Sequence, residues 1–166
     1  ENFSRPDFNF KLRKNGATVQ GGVQGDEEAV ISIRKRGEPI DLIVAECAIV
    51  ANSTWGQWLG SIGVPMIYRS QAALLPGVKV RMGAKPLPHA GMGVKAYAWA
   101  SSPLRRYVDL LNQWQLIAAV RQGATAALSA PFKPKDAQLF AVISSFDAAY
   151  SAYNAYQGQM ERFWTL

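Results

Sequence analysis

The run YAWASSPLRRYVDLLNQWQL, Tyr97 to Leu116, decides how this chain is read, and its centre is Ser102-Pro103-Leu104-Arg105-Arg106. Serine followed by proline is a helix start: Ser102 can cap free backbone N–H groups, and Pro103 at the first helical position loses nothing by lacking its own. Leu104, Val108, Leu111, Gln115 and Leu116 then recur at helical spacing, which predicts a helix with one largely apolar face on a core. Arg105 and Arg106 fall in its first turn, beside the positive end of the helix dipole, where a cation costs about 0.3–1 kcal/mol and an anion gains as much. Two arginines beside free N–H groups mark an anion site of the kind phosphate occupies. A structural alternative stands next to it, because Asp109 is one helical turn beyond both arginines and can neutralise either.

The 166 residues suit one domain large enough to bury a core. With 49% apolar and 18% charged residues, composition argues against disorder. A single cysteine, Cys47, excludes an internal disulfide and a cysteine-rich zinc site and points to a reducing, cytoplasmic setting. His89 is the one histidine, which excludes a multi-histidine metal site and argues against a serine-histidine triad within this chain. No apolar run approaches the ~20 residues needed to span a bilayer, and no signal-peptide pattern opens the chain. The first residue is Glu1 rather than methionine, and the other end falls in an aromatic-rich helical pattern at Leu166, so residues 1–166 read as one domain fragment of a longer polypeptide.

The net charge of +6 favours a polyanionic partner, and its distribution is more informative than its total. Between Glu46 and Asp109 no acidic residue occurs, whereas Arg69, Lys79, Arg81, Lys85, Lys95, Arg105 and Arg106 all fall inside that interval. Ordinary solvated surfaces mix signs, so this segment predicts a positive groove that follows a phosphate backbone.

Phe8 to Arg13 alternates apolar and polar residues, as a strand exposed on one side does, and Asn15-Gly16 is a strong turn signal. Gly21-Gly22 and Gly25 suggest loop before a strand at Val30 to Arg34. Arg34-Lys35-Arg36-Gly37 is either a solvated strand end or a phosphate contact. Pro39 opens a predicted helix through Leu59, in which Glu46 interrupts the apolar series Leu42, Ile43, Ile49, Val50. A carboxylate beside a buried face needs a partner, so Glu46 is either half of an ion pair or an active-site acid. Met66 to Arg69 reads as a short strand with Tyr68 and Arg69 on opposite faces, and Val78 to Met82 as another. Lys85 to Gly93 is a proline- and glycine-rich loop, Gly123 to Pro134 a connector, and Asp136 to Trp164 a last helix whose aromatic stripe is expected to pack.

Pro88-His89-Ala90-Gly91-Met92-Gly93, then Tyr97, then Ser101-Ser102-Pro103-Leu104-Arg105-Arg106-Tyr107-Val108-Asp109-Leu110 resembles the signature of the ribonuclease II and ribonuclease R family. Leu42 to Asn52 resembles that family's helix carrying Val-Glu-Glu-x-Met-x-x-Ala-Asn, and Tyr68-Arg69 its following strand. The resemblance implies an α+β fold of mixed strands packed with long helices, the later half of an RNB-type catalytic domain, ending where an S1 domain follows. It implies hydrolytic, processive removal of nucleoside 5′-monophosphates from the 3′ end of single-stranded RNA. It also implies Mg²⁺ held by a cluster of aspartates that belongs to the earlier half and has no match here. By motif position Arg105 matches the arginine on the scissile phosphate, and Glu46 the carboxylate near the nucleotide end. Arg69, Tyr68, Lys85, His89, Tyr97 and Arg106 are the expected RNA contacts. The chain departs from the family at two histidines, replaced by Gln71 and Gln113, and the last helix offers Tyr156, Gly158 or Glu161 for an expected carboxylate. A non-catalytic RNA-binding module and a protein-interaction domain built on the aromatic last helix are the competing functions.

Overall fold

A computed structural model of the protein describes residues 7–19, 25–34 and 38–165. It is an α+β fold. Three strands, β1 (Asp7–Lys14), β2 (Ala17–Thr18) and β3 (Glu28–Arg34), form an antiparallel sheet in the order β2-β1-β3, with Phe8 opposite Ile33 and Phe10 opposite Ile31. Asn15 and Gly16 both have positive φ, 51° and 80°, the two-residue turn that matches strand twist. The expected one-sided exposure of β1 is seen in part: Phe8 and Leu12 are half-buried while Asn9, Lys11 and Arg13 are exposed, but Phe10 and, on β3, Ile31 and Ile33 are exposed too, and no described residue of this sheet joins either buried cluster. The Gly21-Gly22 loop and the Lys35-Arg36-Gly37 part of the basic run lie outside the described residues.

Pro39 occupies the first turn of α1 (Pro39–Ser61), where its missing N–H is harmless, and Asp41 there complements the dipole. Only the second half of α1 is buried, through Asn52, Ser53, Gly56 and Leu59. A side-chain carbon added at Gly56 would stand 3.3 Å from the Tyr68 ring and 3.4 Å from the Ala98 methyl carbon, so its bare backbone lets α1 lie close on the core. Strand β4 (Tyr68–Ser70) pairs antiparallel with β5 (Arg81–Gly83), and Tyr68 also bridges Ala98. Three more helices follow: α2 (Tyr107–Gln122), the single turn α3 (Ala126–Ser129) and α4 (Ala137–Thr165). Among the described residues no helix is long and apolar enough to cross a membrane.

The helix expected from Pro103 begins instead at Tyr107, with Arg106 at its cap position and no side-chain cap. Ser102 to Arg106 closes as a turn, the Ser102 carbonyl accepting the Arg105 and Arg106 N–H groups at 3.3 and 3.1 Å. Leu104 is therefore fully exposed rather than on the apolar face, while Val108, Leu111, Gln115 and Leu116 are buried as their spacing predicts. On α4 the aromatic stripe packs only in part. Leu139 and Ile143 are buried and Phe146 and Tyr150 pack beside them, but Tyr153, Tyr156, Phe163 and Trp164 are exposed.

Residues 96–101 cross the core with little sheet pairing, and amide side chains take over the satisfaction of their backbone. The Asn112 carboxamide accepts the Ile67 N–H at 2.7 Å and donates to the carbonyls of Ile67 and Trp99 at 2.9 and 2.7 Å. Asn52 accepts the Ala100 N–H at 3.1 Å, and Gln115 joins Pro65 and Phe132 in the same way. Buried backbone groups must be paired, so these amides hold β4, the 96–101 segment and α2 in one arrangement. Asn112→Ala orphans the Ile67 N–H and two carbonyls, and should lower the unfolding free energy by about 2–4 kcal/mol, at roughly 1–3 per buried group left unsatisfied with some relief from relaxation. Urea unfolding of the two proteins under one condition measures it.

Candidate nucleic-acid site around the Ser102–Arg106 turn

Asp109 resolves the competition between the two arginines. Its side chain is wholly buried, and its carboxylate accepts from the Arg106 guanidinium twice, at 2.8 and 2.7 Å, and from the Ser102 N–H at 2.8 Å. One carboxylate thus fastens both ends of the turn to α2, and the paired, bidentate geometry is what makes a buried ion tolerable. Arg106 is consumed structurally. Arg105 is left exposed, and among the described residues its side chain has no hydrogen bond or ion pair.

Behind the turn, the Arg106 and Arg69 guanidinium groups lie over the Trp99 ring at 4.1 and 3.8 Å from its centroid. Tyr150 from α4 meets the same ring edge-on at 5.8 Å. Cation–π contacts offset part of the desolvation of both arginines. Arg69 still pays for its position: burial, and to a lesser degree Arg106, push its pKa down, while Tyr150, Tyr97 and Asp147 pull it up. Its Nε is buried with no acceptor. His89 stands beside this cluster with its ring edge-on to Tyr97 at 5.7 Å and its Nδ1 buried and unpartnered. Burial first, and then Arg69, lower its pKa below the ordinary 6.5.

The structure therefore brings Arg69, His89, Tyr97 and Arg106 together, but as a packed layer under the turn rather than as a row of exposed contacts. Tyr68, expected at the RNA, is in the core: its hydroxyl donates to the Gly56 carbonyl at 3.0 Å and burial pushes its pKa up to about 12. Tyr97 and His89 are likewise buried, at 6% and 4% exposure. Lys85 is exposed. Glu46 is a second correction. It was expected on a buried face, but Ile40, Leu42, Ile43, Val44 and Val50 around it are all more than half exposed, and of the apolar series Leu42, Ile43, Ile49, Val50 it is Ile49 that packs on a core cluster. Glu46 itself is exposed, and no ion pair joins it to another described residue.

The two glutamines at the departures from the family motif are both used on backbone. Gln113 donates to the Ala100 carbonyl, and Gln71 accepts the Gly91 N–H at 3.0 Å and donates to the Val78 carbonyl at 3.3 Å, tethering the 72–93 loop. Tyr156, Gly158 and Glu161 are all exposed on α4. Sequence reasoning missed Trp99 and Asp147, whose signals were respectively a tryptophan inside the motif and an acid far along the chain.

Residues 74–122 match the RNB domain family. An uncharacterized ribonuclease of Synechocystis, sll1290, is 28% identical over 168 residues, covering 87% of this chain and 24% of that protein. Exoribonuclease 2 of Shigella flexneri and of Escherichia coli K12 are each 44% identical over 45 residues, 27% of this chain and 7% of theirs. The chain thus spans about a quarter or less of the length of these relatives.

The His89 environment predicts a pH dependence with a definite sign. Its folded pKa lies below 6.5, so as pH falls through 6.5 the unfolded chain takes up a proton that the folded chain refuses, and stability declines until the folded group titrates too. His89→Gln should flatten that decline below pH 6.5 and leave the slope above it unchanged, as followed by thermal unfolding across the pH range.

Proposed function

We propose that this chain, with its RNB-domain residues and its homology to ribonucleases, is part of a hydrolytic 3′-to-5′ exoribonuclease that acts on single-stranded RNA and releases nucleoside 5′-monophosphates. Its part in the reaction is to present Arg105 to the scissile phosphate. The observation that carries this reading is the division of labour at the turn: Asp109 takes Arg106 and the Ser102 N–H, and Arg105 projects unpaired from a rigid support.

In such a reaction water attacks phosphorus and gives up a proton, the bond to the 3′ oxygen of the preceding nucleotide breaks, that oxygen takes up a proton as a hydroxyl, and the phosphate stays on the 5′ oxygen of the released nucleotide. Negative charge grows on the non-bridging oxygens as this happens. A planar guanidinium can meet two of those oxygens at once, and because Arg106 and Asp109 fix the turn beforehand, little reorganisation accompanies the chemistry. The Trp99 layer, with Arg69 and Arg106 over its ring, is a support for this turn and for the segment that leads into it.

The family resemblance also implies Mg²⁺. Among the described residues no group of three or more His, Cys, Asp or Glu side chains could hold a metal ion, so the described residues do not fit it and no step here runs through it. A non-catalytic RNA-binding module is the second reading, favoured by the use of Gln71 and Gln113 as backbone tethers where the family has titratable histidines.

Arg105→Lys in the longer enzyme keeps the charge and loses the fork. Turnover should fall by ~10²–10³, the scale of removing one transition-state donor, with RNA affinity nearly unchanged because the contact matters most once charge has developed. Single-turnover cleavage and equilibrium binding on one preparation read both quantities.

A further inference from the structure

The Trp99 ring meets three parts of the fold at once: Arg106 at the end of the turn, Arg69 of β4 and Tyr150 of α4. Its carbonyl accepts from Asn112 at 2.7 Å, so backbone and ring are both held. Arg106 is thereby restrained in two directions. Asp109 takes the N–H edge of its guanidinium, and the indole face blocks movement toward the core. Arg105 is the preceding residue, and its N–H and that of Arg106 both bond to the Ser102 carbonyl, so a shift of Arg106 carries Arg105 with it. Tyr150 meets the Trp99 ring edge-on, at 79°, and stacks on Phe146 at 13°, which ties the plane of the indole to α4.

Stability alone does not account for this arrangement. Two guanidinium groups over one ring repel each other, and Arg69 keeps a buried Nε with no acceptor among the described residues, so a stack built for stability would hold one cation or none. What the stack supplies is a stiff backing, because indole is the aromatic ring that attracts cations most strongly. We infer that Trp99 is a positioning residue for cleavage: its ring holds Arg106, and through Arg106 the turn, so that Arg105 meets the scissile phosphate in one place. This role rests on the ribonuclease reading above and assigns part of the rate to a residue that does not contact RNA. Trp99 is 7% exposed and acts through Arg105. The effect is large enough to measure, since misplacing a reacting group by about 1 Å through a change away from the chemistry can cost ~10²-fold in rate.

The test is single-turnover cleavage of a short labelled oligouridylate by the longer enzyme, with equilibrium binding and thermal unfolding on the same preparations. Trp99→Leu should slow cleavage by about 10- to 100-fold and leave RNA affinity within about twofold. Trp99→Phe, which keeps a smaller ring against both guanidinium groups, should restore most of the rate. In an Arg105→Lys background Trp99→Leu should cost less than about twofold, because the group it positions is already impaired. Tyr150→Leu frees the ring but leaves it in place, so it should give a smaller loss that vanishes in the same background, and it decides the matter if Trp99→Leu does not fold. Losses that multiply with that of Arg105→Lys would overturn the positioning role. So would folded Trp99→Leu or Tyr150→Leu enzyme that melts earlier but cleaves at the native rate. A native enzyme that does not cleave, or an Arg105→Lys variant that cleaves at the native rate, would instead overturn the reading on which this role rests.

Discussion

The buried carboxylate of Asp109 is the constraint on which the site depends. It sits in the first turn of α2, takes up two guanidinium contacts from Arg106 and the N–H of Ser102, and so fixes a five-residue turn whose outer surface is Leu104 and Arg105. Removing one partner from such a pair typically costs about 3–5 kcal/mol because the remaining charge stays buried, which makes the turn a rigid support rather than a loop. The two arginines precede the helix rather than occupy its first turn. The helix starts later, and its first-turn acid faces back to hold the preceding cation.

The same economy governs the interior. The 96–101 segment has almost no sheet ladder, and Asn52, Asn112 and Gln115 supply what strand neighbours would otherwise supply. Polar residues at core positions are costly unless every group is paired, and here Asn112 and Gln115 each join three backbone groups, while Asn52 accepts the Ala100 N–H and donates to the Ser101 and Tyr97 hydroxyls. Trp99 then forms the layer between this amide-pinned segment and the turn, with Arg69 and Arg106 over its ring and Tyr150 of α4 at its edge.

Much of this was legible in residues 97–116. The buried face Val108, Leu111, Gln115, Leu116 followed from helical spacing, the opposite faces of Tyr68 and Arg69 followed from strand alternation, and the pairing of Asp109 with an arginine was one of two open alternatives. Other features could not be read that way. Periodicity shows that an apolar face exists but not that something covers it, which is why Glu46 on α1 and Tyr153, Phe163 and Trp164 on α4 were expected on packed faces and are exposed. An acid-free interval in sequence is not acid-free in space, since Asp147 of α4 lines one groove with Lys79 and Arg81 and its charge pulls the Arg69 pKa up. Aromatic and imidazole groups inside a motif carry no signal of their burial, and Tyr68, Tyr97 and His89 are all buried.

The central claim is that adjacent arginines have separate work, Arg106 holding the turn and Arg105 reaching out of it. The most direct measurement is the unfolding free energy of Arg105→Ala and Arg106→Ala in this same chain. The account predicts that Arg106→Ala loses about 3–5 kcal/mol, as a broken buried pair does, while Arg105→Ala stays within about 0.5 kcal/mol of the native protein. Equal losses for the two, or a larger loss at Arg105, would contradict it.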